Sequence, residues 1–392
     1  MRLKSILNYR FTGPITLTMM NNPITYRLSA CSLNRAACFS CNVMKNGPAS
    51  KNLEDVLQDR AWLLDAPDSR LTTIKSGKDS SFTVIRDDLL HPFASGNKIR
   101  KLDGLWPELV KRGVKDVITC GGLQSAHLLA VAALAAQHGM RSHLLVRGNR
   151  PDVLTGNHLF AKLFSSTTVY VSRSEYADRE EMFRKYASSA LGYNDVLTDD
   201  ESSQVAILPE GGALVSALFG MIRFVNWLAF RLDTLNIEGI RYENSRIIVD
   251  SGTGTTAIGV ALGVALLDLP WKVVGVILAA PEEYYNLQKE KLIKEFCSKA
   301  NIGIEVLNRV NESLCWVVRR HPRKFGKVLS NEISACQEIA SRHGILLDPI
   351  WTLSSWERAT TDSQELEENV FMLHTGGALG MCGLAQRYPD QF

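Results

Sequence analysis

Acidic residues are missing from positions 1–52 of this 392-residue chain; the first is Glu54. Over that stretch Arg2, Lys4, Arg10, Arg27, Arg35, Lys45 and Lys51 stand among Ser, Asn and Thr. An arginine-bearing, serine-containing, acid-free segment has the composition of an organelle transit peptide and lacks the continuous apolar stretch of a secretory signal. A mitochondrial address is expected, ahead of a plastid one. Strong net charge is also missing: the formal value is +3, with no concentrated basic stripe on which nucleic acid would dock. No uninterrupted apolar run is long enough to cross a bilayer, and "AHLLAVAALAAQHGM" reads as a buried helix, so no membrane partner is expected. Cysteines are few. Beyond position 52 they are Cys120, Cys297, Cys315, Cys336 and Cys382, odd in number and irregular in spacing, which argues against a disulfide framework. Cys38 and Cys41 form a lone CxxC, too little for a zinc site, and no metal is expected.

What is present is alternation. "SFTVIRDDLL", "DVITCGG", "RSHLLVRG", "TTVYVS", "SRIIVDS", "WKVVGVILA", "LLDPIWT" and "NVFML" read as strand material. Between them, "IRKLDGLWPELVKRG" (despite Pro107), "SAHLLAVAALAAQHG", "NHLFAKLF", "YADREEMFRKYASSALG", "ALVSALFGMIRFVNWLAFRL" and "TTAIGVALGVALLDL" read as helices. Short apolar strands alternating with helices predict an α/β protein whose parallel sheets are covered on both faces. The acidic stretch at 193–204 reads as a surface loop.

Three strand-to-helix corners end in small polar residues: "TCGGLQSAH", "VDSGTGTTA" and "LHTGG". In open α/β sheets ligands sit at the carboxyl ends of strands, where these corners fall. The second corner has the makings of an anion cradle. Its glycines admit close backbone approach, its hydroxyls add donors, and the helix that follows offers unpaired N–H groups. "GTGTTA" also fits a loose dinucleotide pattern, but Glu282 stands too far along the next strand to serve a ribose. In "SGNKIRKLDGL" three cations, Lys98, Arg100 and Lys101, crowd a polar turn.

Taken together, "SGNKIRKLD", "GGLQSAH", "PEGGA", "DSGTGTTA", "LLDPIWT" and "HTGG" resemble, in order and spacing, a known enzyme family. It is the fold-type II pyridoxal-phosphate enzymes of the 1-aminocyclopropane-1-carboxylate deaminase and D-cysteine desulfhydrase family, with the plant mitochondrial desulfhydrases the most similar branch. The resemblance implies two open parallel-sheet domains of the tryptophan-synthase-β type with pyridoxal 5'-phosphate between them. Residues 53–100 and 213–392 would form the large domain and 101–212 the small one. It further implies a homodimer acting on a small amino-acid substrate.

By the same resemblance Lys98 is the lysine that bonds the cofactor, and burial beside Arg100 and Lys101 would lower its pKa. Lys101 would contact the phosphate, which Gly252, Thr253, Gly254, Thr255 and Thr256 would cradle. Ser125, with Gln124, would face the substrate carboxylate, although Ser125 also suits a helix N-cap. Trp351 and Thr352 would meet the cofactor ring, and Phe325 and Thr375 would line the substrate side. Asp87 and Asp88 have no expected catalytic role, and His127 fits either a core or the site. The chain departs from the family at Ala126, where an Asn is usual, and at Phe325 and Trp351, where the deaminases carry tyrosines. The expected reaction is β-elimination of sulfide from D-cysteine. The alternatives are deamination of 1-aminocyclopropane-1-carboxylate and binding of the cofactor without turnover.

Overall fold

A computed structural model describes residues 56–58, 60–94, 96–193, 203–235 and 244–392. The expected transit segment at 1–52 and most of the expected loop at 193–204 lie outside the described residues. Ten strands are found among the latter: β1 (Leu71–Lys75), β2 (Ser81–Ile85), β3 (Asp116–Gly122), β4 (Arg141–Arg147), β5 (Thr167–Val171), β6 (Val205–Leu208), β7 (Ser245–Ser251), β8 (Lys272–Ile277), β9 (Leu314–Val318) and β10 (Asn369–Leu373). One sheet runs β1-β2-β10-β7-β8-β9 and the other β5-β4-β3-β6. Parallel pairing holds everywhere except β1–β2, an antiparallel edge that the sequence reading did not anticipate.

The main helices are α1 (Asn97–Lys111), α2 (Ala126–Gln137), α3 (Gly156–Phe164), α4 (Arg173–Ala177), α5 (Arg179–Leu191) and α6 (Val215–Leu235). They continue as α7 (Thr255–Leu266), α8 (Glu282–Ala300), α9 (Val306–Ser313), α10 (Glu332–His343), α11 (Thr352–Glu365) and α12 (Gly380–Arg387). Both faces of both sheets are covered, as parallel strands require. In the larger sheet Ile247, Val249 and Val273 pack on α6 and α7, while Ile248 and Val274 pack on α10 and α11. In the smaller sheet Val117 faces α1 and α2, and Ile118 and Cys120 face α5. The period-two switch along each strand sends alternate side chains to opposite cores.

Helix α6 is long and apolar enough to span a membrane by length and composition. Arg223 interrupts it, however, and Leu218, Phe219, Ile222, Val225 and Leu228 are fully buried within the protein core. Pro107 sits inside α1 at little cost. A proline leaves the carbonyl four residues back without its helical donor. Here the Leu63 N–H takes that Asp103 carbonyl at 3.2 Å.

Strand order decides where the site lies. In the smaller sheet the chain leaves β3 for β4 on one side and returns as β6 on the other. In the larger sheet β7 is flanked in the same way by β8 and β10. Such reversals open a crevice at the carboxyl ends of the central strands. The two crevices coincide with the corners after Gly122 and Ser251.

One expected strand is absent. "LLDPIWT" forms no strand, because the Asp348 carboxylate accepts the N–H groups of Ile350 and Trp351, both at 2.9 Å, and turns the chain into α11.

Candidate active site

Lys98 stands in the first turn of α1, and its setting begins two residues earlier. Gly96 adopts φ +65°, with its N–H on the Asp87 carbonyl at 2.9 Å. A side chain there would come within 1.7 Å of the Thr375 carbonyl oxygen. Only glycine lets the start of α1 press against the "HTGG" turn. Next, Asn97 links two parts of the site with one amide. Its Oδ1 accepts from Lys98 Nζ at 3.0 Å, and its Nδ2 donates to Thr256 Oγ1 at 2.9 Å. The amine and the glycine-threonine corner are thus tied together.

Arg100 does not play the part expected of it. Its guanidinium points away from Lys98 and grips Asp87 through two bonds of 2.8 and 2.9 Å, with Pro67 O at 2.6 Å and the Phe224 ring 4.6 Å from its centre. Both partners are completely buried. Asp87 is thus structural, and Arg100, bound to it, is no cause of the shift at Lys98. The Lys98 amine is nonetheless held below its ordinary pKa range by burial, with the carboxylate of Asp250 pulling the other way. Lys101, nearly inaccessible, is lowered further by burial and by the charge of Lys98, and its Nζ donates to Gly211 O at 2.9 Å.

Asp250 closes β7, and the sequence reading gave it no role. Its carboxyl is raised by burial, while the Thr375 hydroxyl, donating to Oδ1 at 2.5 Å, pulls it back. The signal for it was one acid inside the apolar strand "SRIIVDS". His127 lies close to Lys98 and Lys101. Burial, then the charges of Lys98 and Lys101, push its pKa down to about 3, so the ring is neutral. Its Nε2 is buried without a partner.

The corner after β7 provides the cradle. Gly254 caps α7 with φ +80° and no side-chain bond, which leaves the first N–H groups of α7 free of intrahelical partners. Thr253 and Thr255 share a hydroxyl contact of 2.9 Å, and Thr255 and Thr256 are buried. A side chain at Gly252 would meet the Trp351 ring at 2.9 Å. Trp351 in turn packs on Phe325, ring centres 4.8 Å apart, and Phe325 reaches solvent.

Thr352 is fully buried, and its hydroxyl is engaged with Asp348: it donates to Oδ2 at 3.0 Å and accepts the Asp348 N–H at 2.8 Å. Burial raises the Asp348 carboxyl to about 7. Ser125 caps α2, accepting from Leu128 N at 3.4 Å. Gln124, expected beside it at the substrate, is turned elsewhere. Its amide donates to Thr155 O at 3.0 Å and accepts Asn157 N–H at 3.1 Å, and Thr155 in turn bonds Gln386 of α12 at 3.0 Å. Gln124 therefore clamps loops together. Ala126 offers no side-chain donor.

Residues 70–376 match the family model described as "Pyridoxal-phosphate dependent enzyme". The chain belongs to that family. It is 44% identical over 337 residues to the rice (Oryza sativa subsp. japonica) protein named "Putative D-cysteine desulfhydrase 2, mitochondrial", covering 79% of this chain and 81% of that one. An Arabidopsis thaliana protein named "Bifunctional D-cysteine desulfhydrase/1-aminocyclopropane-1-carboxylate deaminase, mitochondrial" is 25% identical over 76% of this chain and 72% of its own. A crystal structure described as that of an ACC deaminase homologue superposes with a TM-score of 0.71 over 88% of this chain and all of its own, at 22% identity, which shows the shared fold.

Pyridoxal phosphate is the cofactor of this family, and the residues present fit it. A buried amine depressed in pKa suits a covalent bond to an aldehyde carbon. A side-chain-free turn at the start of a twelve-residue helix, with hydroxyls alongside, suits a phosphate. His127, close to the two lysines, has a buried ring nitrogen without a partner.

Proposed function

We propose that this chain is a D-cysteine desulfhydrase, releasing hydrogen sulfide, pyruvate and ammonia from D-cysteine. The observation that carries the reading is the pair of hydroxyls at Thr352 and Thr375, each bonded to a buried carboxyl, Asp348 and Asp250. Where the cyclopropane deaminases have Glu and Leu, this chain offers hydroxyls at both places. A Glu would hold a full proton against the ring nitrogen and suit cleavage of an unactivated ring bond. A threonine whose hydroxyl is already bonded to Asp348 places no full charge there and leaves a weaker sink, sufficient when a good leaving group departs.

When bound, the cofactor supplies the electron sink for negative charge at Cα. The protein's own groups do the rest. Lys98 would hold the cofactor, and its Nζ would be the base that takes the Cα proton. A neutral amine is needed for that, and its burial favours one. Ser125 and the α2 N-terminus receive the substrate carboxylate. Lys101 and residues Gly252, Thr253, Gly254, Thr255 and Thr256 would hold the phosphate, with Trp351 lying beside Gly252. Loss of sulfide from Cβ leaves 2-aminoacrylate, which water converts to pyruvate and ammonia.

Residues 1–52 address the protein to the mitochondrion, a reading that their composition supports alongside the names of the two plant relatives. The domain division at 53–100 with 213–392 and at 101–212, and a homodimeric assembly, complete the proposal. The deciding experiment offers purified protein D-cysteine and 1-aminocyclopropane-1-carboxylate separately. Sulfide and pyruvate should appear from the first, with little product from the second. Faster turnover of the cyclopropane acid would reverse the assignment, and no turnover of either would favour a cofactor-binding role.

A further inference from the structure

A carboxylate buried at the end of a core strand is costly unless it does something there. Asp250 is 5% exposed, and Thr375 aims it through a 2.5 Å bond. Its surroundings come from four elements. Lys98 and Lys101 face it from α1, neutral His127 lies beside those lysines on α2, and Asp348 approaches from the turn before α11. Thr375 itself comes from the turn after β10, the same turn against which Gly96 is pressed. Lysine, carboxylate and hydroxyl thus come from three chain segments, the start of α1 pressed on the turn of Thr375 and Asp250 joined to that turn by its hydrogen bond.

We propose that Asp250 is a positioning residue for the reaction, a counter-charge aimed by Thr375 that sets how firmly the Lys98 nitrogen holds a proton. This rests on Lys98 being the cofactor lysine, as proposed above. A base that removes a Cα proton must also keep it: the Cα–H bond breaks, an N–H bond forms at Nζ, and the positive charge created there needs an answer. Burial acts against that charge, and neutral His127 adds none of its own. Asp250 is the group on the other side of the balance. The Thr375 hydroxyl matters because, by donating to Asp250, it favours the ionised carboxylate that burial opposes. Asp348 acts in reverse, since two carboxylates this deeply placed discourage each other's ionisation.

The test uses the full-chain holoenzyme and the absorption of its bound cofactor, which reports the proton on the nitrogen joined to Lys98. Asp250→Asn keeps the size and removes the charge. Losing a negative neighbour makes the protonated nitrogen less stable, so the spectral midpoint should fall, by about one pH unit. Thr375→Val should move it the same way by less, since the carboxyl remains but is ionised less readily. Unchanged or raised midpoints in both variants would overturn the proposal and leave Asp250 as a structural partner of Thr375. Should Asp250→Asn not fold, Thr375→Val decides alone. Borohydride reduction and peptide mapping of the wild type separate this from the underlying assignment. A label off Lys98 breaks the lysine assignment, whereas a label on Lys98 with unmoved midpoints breaks only the inference about Asp250.

Discussion

The two sides of helix α1 bury cations by opposite means. On one side Arg100 is fully enclosed and fully answered, with two bonds to Asp87, one to Pro67 and an aromatic face beneath. On the other, among the described residues, Lys98 and Lys101 donate only to neutral oxygens, an amide and a carbonyl, and burial lowers the pKa of both. An arginine cannot give up its proton, so it must be paired. A lysine can, and an unpaired buried lysine becomes a nucleophile or a base. Two residues in one turn of sequence thus differ sharply: Arg100 is paired with Asp87, and Lys98 is held at a lowered pKa.

Substitutions can break that contrast. The largest effect is expected at Lys98→Ala, which should remove turnover of D-cysteine by more than about 10⁴-fold, roughly 5 kcal/mol in the barrier, while the cradle still retains some cofactor. Steady-state sulfide release and the cofactor content of the purified variant check both parts. Asp87→Ala tests the other side. It strands a buried guanidinium and should cost about 3–5 kcal/mol of stability in chemical denaturation. The double change Asp87→Leu with Arg100→Met should recover most of that loss, because neither charge then remains to be buried. If Asp87→Ala instead left stability untouched and altered only the cofactor spectrum, the division of labour within α1 would be wrong. The smallest effect concerns the hydroxyls: Thr352→Glu with Thr375→Leu should slow desulfhydration more than tenfold, about 1.4 kcal/mol or more. Equal rates in that variant and the wild type would detach the two threonines from substrate choice.

The corners were legible in the sequence because glycine beside small hydroxyl residues after an apolar run has few other uses. The strands leading into them, β3 and β7, were legible for the same reason. Strand β6 was not. Four buried apolar residues before Pro209 carry no period that separates strand from turn. "LLDPIWT" misled in the other direction, since an apolar run with one Asp reads as a strand until that Asp is seen to accept the N–H groups ahead of it. Arg100 and Lys98 look alike in "NKIRK", and what tells them apart is an Asp thirteen positions from Arg100. Gln124 is similar: its bonds to Thr155 and Asn157 depend on a loop brought up by a different strand. Local pattern picked out the corners, and contacts distant in sequence decide which partners each residue there meets.

The site's dispersal along the chain bears on the protein's own synthesis. Lys98, the corner at Gly252–Thr256, the turn before α11 and Thr375 meet only in the folded molecule, and Gly96 cannot be seated until the Thr375 backbone is there to receive it. Roughly 280 residues separate Lys98 from Thr375, which a ribosome takes on the order of fifteen seconds to a minute to traverse. Throughout that interval the nascent chain carries a lysine with no cradle, no counter-charge and an ordinary affinity for protons. It is chemically indistinguishable from the other lysines already emerged. On the proposed assignment of Lys98, its bonding to the cofactor is therefore a late event in synthesis.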